Sequence, residues 1–191
     1  AGNAELCTAL NTLLSDTISF YFQAHSAHWI VVGEDFVQYH ELFLKIYEDV
    51  YASIDLLAEN IRKCGGRPDG TLAGIVQTRN IGDVEQSSDP RALAQALYDA
   101  NEALIEELKA LFAQADAANE QGVADFLAAR IDAQQMWRWQ LAASLGIDGV
   151  DEPEPMQRQP LVTEGPVSSE FAADMLEEVV EVEADSPKDE V

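Results

Sequence analysis

The spacing of the helical segments restricts this chain more than any other feature. Four long stretches place apolar residues every three to four positions, and the gaps between them are unequal. The first runs from about Ala4 to Val32, with Leu6, Leu10, Leu13, Leu14, Ile18 and Phe22 on one stripe, and Gly33 ends it. The second runs from about Asp35 to Cys64, with Phe36, Phe43, Tyr47, Val50, Ile54, Leu57 and Ile61 at helical spacing; Gly65-Gly66 stops it. Asp89 as N-cap and Pro90 at the first helical position start the third, which continues to about Ala118. The fourth spans roughly Glu120 to Leu145 and stops at Gly146. The first pair and the second pair are joined so tightly that each must be an antiparallel hairpin. Between them lies a crossover from about Gly65 to Ser88, whose middle, TLAGIVQTR, has the pattern of a short extra helix.

Two hairpins joined by one long crossover make an all-α fold, the ferritin-like four-helix bundle, rather than a simple up-down bundle. This domain occupies residues 1–146. Residues 147–191 differ in kind, holding five of the seven prolines and 14 acidic residues against 2 basic ones. That composition predicts an acidic C-terminal tail, disordered or docked onto something else.

The whole chain carries 35 acidic and 11 basic residues, a net charge of −24. Such a surface repels nucleic acid and attracts cations. Solubility alone, or a salty habitat, would favour the same excess, and only four of the basic residues are lysines. No run of about 18 apolar residues is present, so no membrane span is expected. The opening AGNAELCTAL has no basic segment followed by an apolar stretch, which predicts a cytoplasmic chain that has lost its initiator Met. Cys7 and Cys64 then read as free thiols in a reducing compartment.

All three histidines, His25, His28 and His40, fall within sixteen residues, beside Trp29 and near many carboxylates. That grouping points towards a metal site. An intrasubunit di-iron centre needs Glu-x-x-His on two helices, and the chain contains no such motif. A different arrangement survives. Asp55 and Glu59 are four residues apart, on one face of the second helix. His40 lies fifteen residues earlier, about 22 Å along the axis, while His28 can approach it across the short turn. One metal ion cannot touch both ends. The histidines of one subunit and the carboxylates of another meet if two subunits pack antiparallel about a two-fold axis. Pattern alone leaves open that these are two unrelated surface pairs.

The stretches AHWIVVGEDFVQYHELF and YEDVYASIDLLAENIRKCGG, with QQMWRWQLAASLG in the last helix, resemble the signature of the Dps family, the miniferritins. His28, His40, Asp55 and Glu59 occupy the positions of that family's ligands. The resemblance implies a homo-oligomer, a dodecameric shell built from two-fold dimers. It also implies catalytic metal sites at the dimer interfaces, ferroxidase activity towards Fe(II) with peroxide, and storage of ferric mineral. Imidazole and carboxylate ligands suit iron, and zinc fits the same site. One position departs from the pattern: four residues after the second His the family carries Asp, and here stands Leu44. The expectation is one fairly complete iron position and a second reduced to His40 and a shared Glu59. His25, one turn before His28, is a candidate substitute, or else takes an outer-face role supporting the ligands, and helix angles point Glu41 and Glu48 away from the gap. Asp116, Glu120 and Asp125 are weak candidates for a cation-drawing lining at subunit junctions. The Lys-rich tail that DNA-binding relatives use is missing, because residues 1–44 contain neither Lys nor Arg, so DNA binding is not expected. The competing expectation is a structural shell with weak or lost ferroxidase activity, whose tail binds a protein partner. In that tail SSEFAADMLEEVVEVE could form a helix from Ser168 or Ser169, with Phe171, Met175, Leu176, Val179 and Val180 as its apolar edge.

Overall fold

The computed structural model describes residues 2–84, 87–147 and 149. Its helices are α1 (Gly2–Ile30), α2 (Phe36–Lys63), α3 (Leu72–Thr78), α4 (Pro90–Ala117) and α5 (Gln121–Leu145). Each end lies within a few residues of its expected position, and α3 is the extra helix of the crossover. Local chemistry accounts for the starts and stops. The Asp89 carboxylate accepts from the Ala92 amide at 2.8 Å with Pro90 following it, as the sequence predicted. Thr71 caps α3 through its hydroxyl, which accepts from the Gly74 amide. Gly146 closes α5 at φ +72°, a left-handed conformation that suits glycine. The helix expected from Ser168 or Ser169 lies outside the described residues.

Helices α1 and α2 pack along their length, as do α4 and α5, and α1 against α4 joins the two hairpins. The core between them includes Leu6, Leu10, Leu13, Phe20, Phe43, Ile46, Leu104 and Leu127, all essentially inaccessible. Two expected core positions are corrected. Phe22 is 55% exposed and Phe36 40% exposed, and Phe20 fills the core in place of Phe22. Helix α1 is apolar on more than one side, so a single stripe could not separate the buried face from a second apolar face turned outward.

The crossover is stitched to α1 by polar side chains whose partners are far away in sequence. Asn11 donates to the Arg67 carbonyl at 3.1 Å and accepts from the Asp69 amide at 2.9 Å. Buried Asp16 accepts from the backbone amides of Asn80 at 2.7 Å and Ile81 at 2.6 Å, and from the Asn80 side chain at 3.1 Å. Gln23 donates to the Gly82 carbonyl at 2.6 Å. At the other end of α1 the buried Cys7 thiol lies 3.5 Å from the Cys64 carbonyl, and both cysteines are free. Gly66 permits that approach, since a Cβ there would sit 2.9 Å from both the Cys7 sulfur and the Ile61 side chain. No described helix is long and apolar enough to cross a membrane.

Candidate metal centre

The turn between α1 and α2 brings His28 and His40 face to face, their ring centroids 3.7 Å apart and their planes 22° from parallel. Each ring is fixed by the other residue's backbone. His28 Nδ1 lies 2.8 Å from the His40 carbonyl, and His40 Nδ1 lies 2.9 Å from the His28 carbonyl. A carbonyl oxygen only accepts, so each Nδ1 carries the proton and each Nε2 of the neutral ring keeps its lone pair. A metal-binding imidazole is prepared in this way, with one nitrogen held and the other free to ligate. The bond also serves the helix, because the His28 carbonyl belongs to the last turn of α1, where carbonyls lack intrahelical partners. Phe36 stacks on the outer side of His40 at 4.9 Å, and the Tyr47 ring meets His28 edge-on at 5.4 Å.

Asp55 and Glu59, one turn apart on α2, are both exposed, and within one protomer they stand apart from the histidines along the helix. Among the described residues no three His, Cys, Asp or Glu side chains converge as a metal cage. Leu44, one turn beyond His40, is half-buried. His25 is engaged elsewhere: its Nδ1 lies 3.0 Å from the Tyr21 hydroxyl and its ring stacks on Tyr47 at 4.0 Å. Glu41 is exposed and pairs with Lys45 at 2.8 Å, which lowers its carboxyl below the usual range. Asp116 and Asp125 are exposed, and Glu120 is half-buried.

Two carboxyl clusters escaped the sequence reading. Asp49 receives both terminal nitrogens of Arg130, at 3.1 and 2.9 Å, and the Trp137 indole N–H at 2.8 Å. Burial pushes its pKa up, but these hydrogen bonds and the Arg130 charge outweigh that and hold it below the ordinary value. Glu107, half-buried on α4, behaves oppositely. Burial, then the charge of Asp16 and a hydrogen bond with it, push Glu107 up to about 8. Nothing local announced either cluster, since the partners are dozens of residues apart. The Tyr21–His25 pair could have been found, because residues four apart share a helix face.

Helices α1 and α2 carry exposed apolar side chains: Phe22, Trp29, Tyr51 and Leu56 are each at least half exposed, and Leu72 and Val76 on α3 are exposed as well.

Residues 7–148 match the ferritin-like domain family. The chain is 29% identical to general stress protein 20U of Bacillus subtilis over 74% of its length and 98% of that protein. It is also 29% identical to a DNA protection during starvation protein of Brevibacillus brevis, over 71% of this chain and 91% of that one. Among solved structures it resembles a Vibrio cholerae Dps protein, described as a ferritin-like diiron-carboxylate protein, with a TM-score of 0.73 and 29% identity. That match covers 75% of this chain and 91% of the other. A Bacillus brevis Dps protein matches at a TM-score of 0.73 and 28% identity, over 75% and 97% of the two chains.

Proposed function

Since this chain belongs to the ferritin-like family, among the Dps miniferritins that bind iron, we propose that it oxidises Fe(II) at sites shared by two subunits and stores the ferric product in a hollow shell, protecting against peroxide. The observation that carries this reading is the reciprocal His28–His40 clamp, which leaves two imidazole Nε2 atoms ready to ligate and, among the described residues, no third ligand grouped with them. Asp55 and Glu59 are the carboxylates of the other half-site, about 22 Å and about 28 Å from His40 along α2. The helices that carry the half-sites, α1 and α2, also bear the exposed apolar side chains Phe22, Trp29, Tyr51 and Leu56, which make up the proposed partner face. A second copy packed antiparallel on that face buries Phe22, Trp29, Tyr51 and Leu56 and brings its Asp55 and Glu59 to His28 and His40. Two equivalent sites result.

Iron is the substrate here. His28, with Asp55 and Glu59 of the second subunit, would hold one Fe(II), and zinc would compete for the same donors. At the other position His40 and the shared Glu59 remain, because the Leu44 side chain has no donor atom. Peroxide or oxygen takes the electrons, and the ferric product collects inside.

Leu44 favours a second reading, a Dps-like shell with weak or lost ferroxidase activity whose acidic tail recruits a partner. Anaerobic titration of Fe(II) against the purified assembly separates them. The first reading expects one tight ion per interface site, two per dimer, with rapid oxidation on adding peroxide. No tight binding would leave the second.

A further inference from the structure

The α1–α2 hairpin is closed by its turn at one end and open at the other, and both cysteines of the chain stand at the open end. Cys7 belongs to the second turn of α1, and Cys64 is the C-cap of α2. We propose that Cys7 and Cys64 are a peroxide-sensitive dithiol that oxidises to an intrachain disulfide, tying the start of α1 to the end of α2. The proposal does not depend on the interface iron site.

Antiparallel packing brings the pair together although 57 residues separate them in the chain. The Cys7 thiol donates to the Cys64 carbonyl at 3.5 Å, and the Cys64 thiol hydrogen-bonds with Cys7. Each residue is 8% exposed and free. The turn after Cys64 holds its backbone against α1. Gly65 adopts φ +85°, the Gly66 amide donates to the Ile61 carbonyl at 2.9 Å, and Gly66 has no Cβ to crowd the Cys7 sulfur. Alanine or valine would fill these two buried positions as apolar packing. Two thiols in mutual contact add a reaction that such residues lack. Burial, then the Glu120 charge, then Cys7 itself push the Cys64 thiol up, which keeps the proton on its sulfur and makes the pair slow to react. The reduced form therefore persists until peroxide is abundant.

The oxidant is hydrogen peroxide, and the reaction balances. One cysteine, as thiolate, attacks a peroxide oxygen. The O–O bond breaks, leaving a sulfenic acid and a hydroxide that takes up the proton the thiol released. The second sulfur then attacks the sulfenic sulfur, the S–O bond breaks, and the oxygen leaves as water with the second thiol's proton. Two thiols and one peroxide become one disulfide and two waters, with two electrons passing from sulfur to oxygen. The new bond closes a loop that contains His28, His40, Asp55 and Glu59. A cross-link across so long a loop restricts the unfolded chain strongly, so the hairpin that carries both half-sites is stabilised under peroxide.

The test uses the full-length protein, stripped of metal with a chelator, reduced, freed of reductant and exposed to excess hydrogen peroxide. Both thiols should disappear together, and the intact chain should become lighter by two hydrogens. Digestion without reductant should yield a peptide joining Cys7 to Cys64, from a chain that still migrates as a single chain on a denaturing, non-reducing gel. The thermal midpoint should rise by several degrees and fall back when reductant is restored. In Cys64→Ala the midpoint should no longer rise with peroxide. Thiols that survive excess peroxide would overturn the proposal, as would their conversion to sulfinic and sulfonic acids without a cross-link, or a disulfide between chains. A Cys7–Cys64 bond that leaves the midpoint unchanged or lower, or an equal rise in Cys64→Ala, would overturn the stabilising tie. The mass and peptide map of the unsubstituted protein decide the bond whether or not Cys64→Ala folds.

Discussion

His28 and His40 each commit one ring nitrogen to the other's backbone, and that decides what the second nitrogen can do. With Nδ1 protonated against a carbonyl, Nε2 keeps its lone pair, and the ring's tautomer and direction are already set. His28→Ala should therefore weaken the tight Fe(II) or Zn(II) position by at least about 100-fold, read by anaerobic titration. Leu44→Asp should raise the count from about one ion per interface site towards two and speed Fe(II) oxidation, since it returns a carboxylate one turn beyond His40. If neither count nor rate changes, another residue already completes the second position. Glu107 supplies a pH test at the same scale. Its folded pKa, about 8, stands above the ordinary 4.5, so the folded state holds a proton that the unfolded state has released between those values. The stabilising contribution of Glu107 should therefore be fully present below about pH 4.5, fall as pH rises, and be lost above about 8. Water reaches part of this half-buried carboxyl and screens the effect, leaving a cost of about 1–2 kcal/mol. Glu107→Gln should flatten that fall, so its thermal midpoint should exceed that of the parent at pH 9 and differ little at pH 5.

At the scale of elements, the helices were legible because their caps and periodicity are local properties. Asp89-Pro90 and Gly146 act within a few residues of the boundaries they set. The histidine pair was legible for a similar reason: a short turn limits how far His28 and His40 can separate. What holds the crossover was not legible, because Asn11, Asp16 and Gln23 find partners 56 to 65 residues away. A buried Asp in an apolar stripe reads as a flaw until those partners are known. The Phe22 assignment failed differently. Burial within a protomer and burial between protomers leave the same apolar signature, and only the three-dimensional packing separates them. Asp16 also makes an element-level prediction. Its three hydrogen bonds fix Asn80 and Ile81, and removing the carboxylate leaves buried amides unsatisfied. Asp16→Ala should cost about 3 kcal/mol in denaturant unfolding and should accelerate amide exchange at residues 80 and 81 before it affects α4 or α5.

At the scale of the whole molecule, charge and exposed apolar surface have to be reconciled. The net charge of −24 would keep copies apart, so any assembly must rest on apolar contacts strong enough to offset the repulsion. Of the nine Lys and Arg among the described residues, five already pair with carboxylates of the same protomer. Little free positive charge remains for a phosphate backbone. No shift of plasmid DNA is expected at about 0.15 M salt without added divalent metal, which would otherwise bridge the two polyanions. Two groups of exposed apolar side chains bear on assembly. The α1–α2 face, with Phe22, Trp29, Tyr51 and Leu56, is the one a two-fold partner would cover to complete the iron sites. On α5, Met136 and Trp139 are 49% and 58% exposed, on a different helix from any half-site residue. A dimer alone would leave that second patch in water, whereas growth from dimers to a closed shell needs such a contact. Light scattering on the parent should therefore give an assembly much larger than a dimer. Trp139→Glu should add like charge to that patch and stop growth at the dimer, while Fe(II) binding per dimer stays at the parent value because the α1–α2 contact is untouched. A Trp139→Glu protein that keeps its full size would show that the α5 patch is not an assembly contact. A monomer from the parent at micromolar concentration would remove both the shell and the shared iron site.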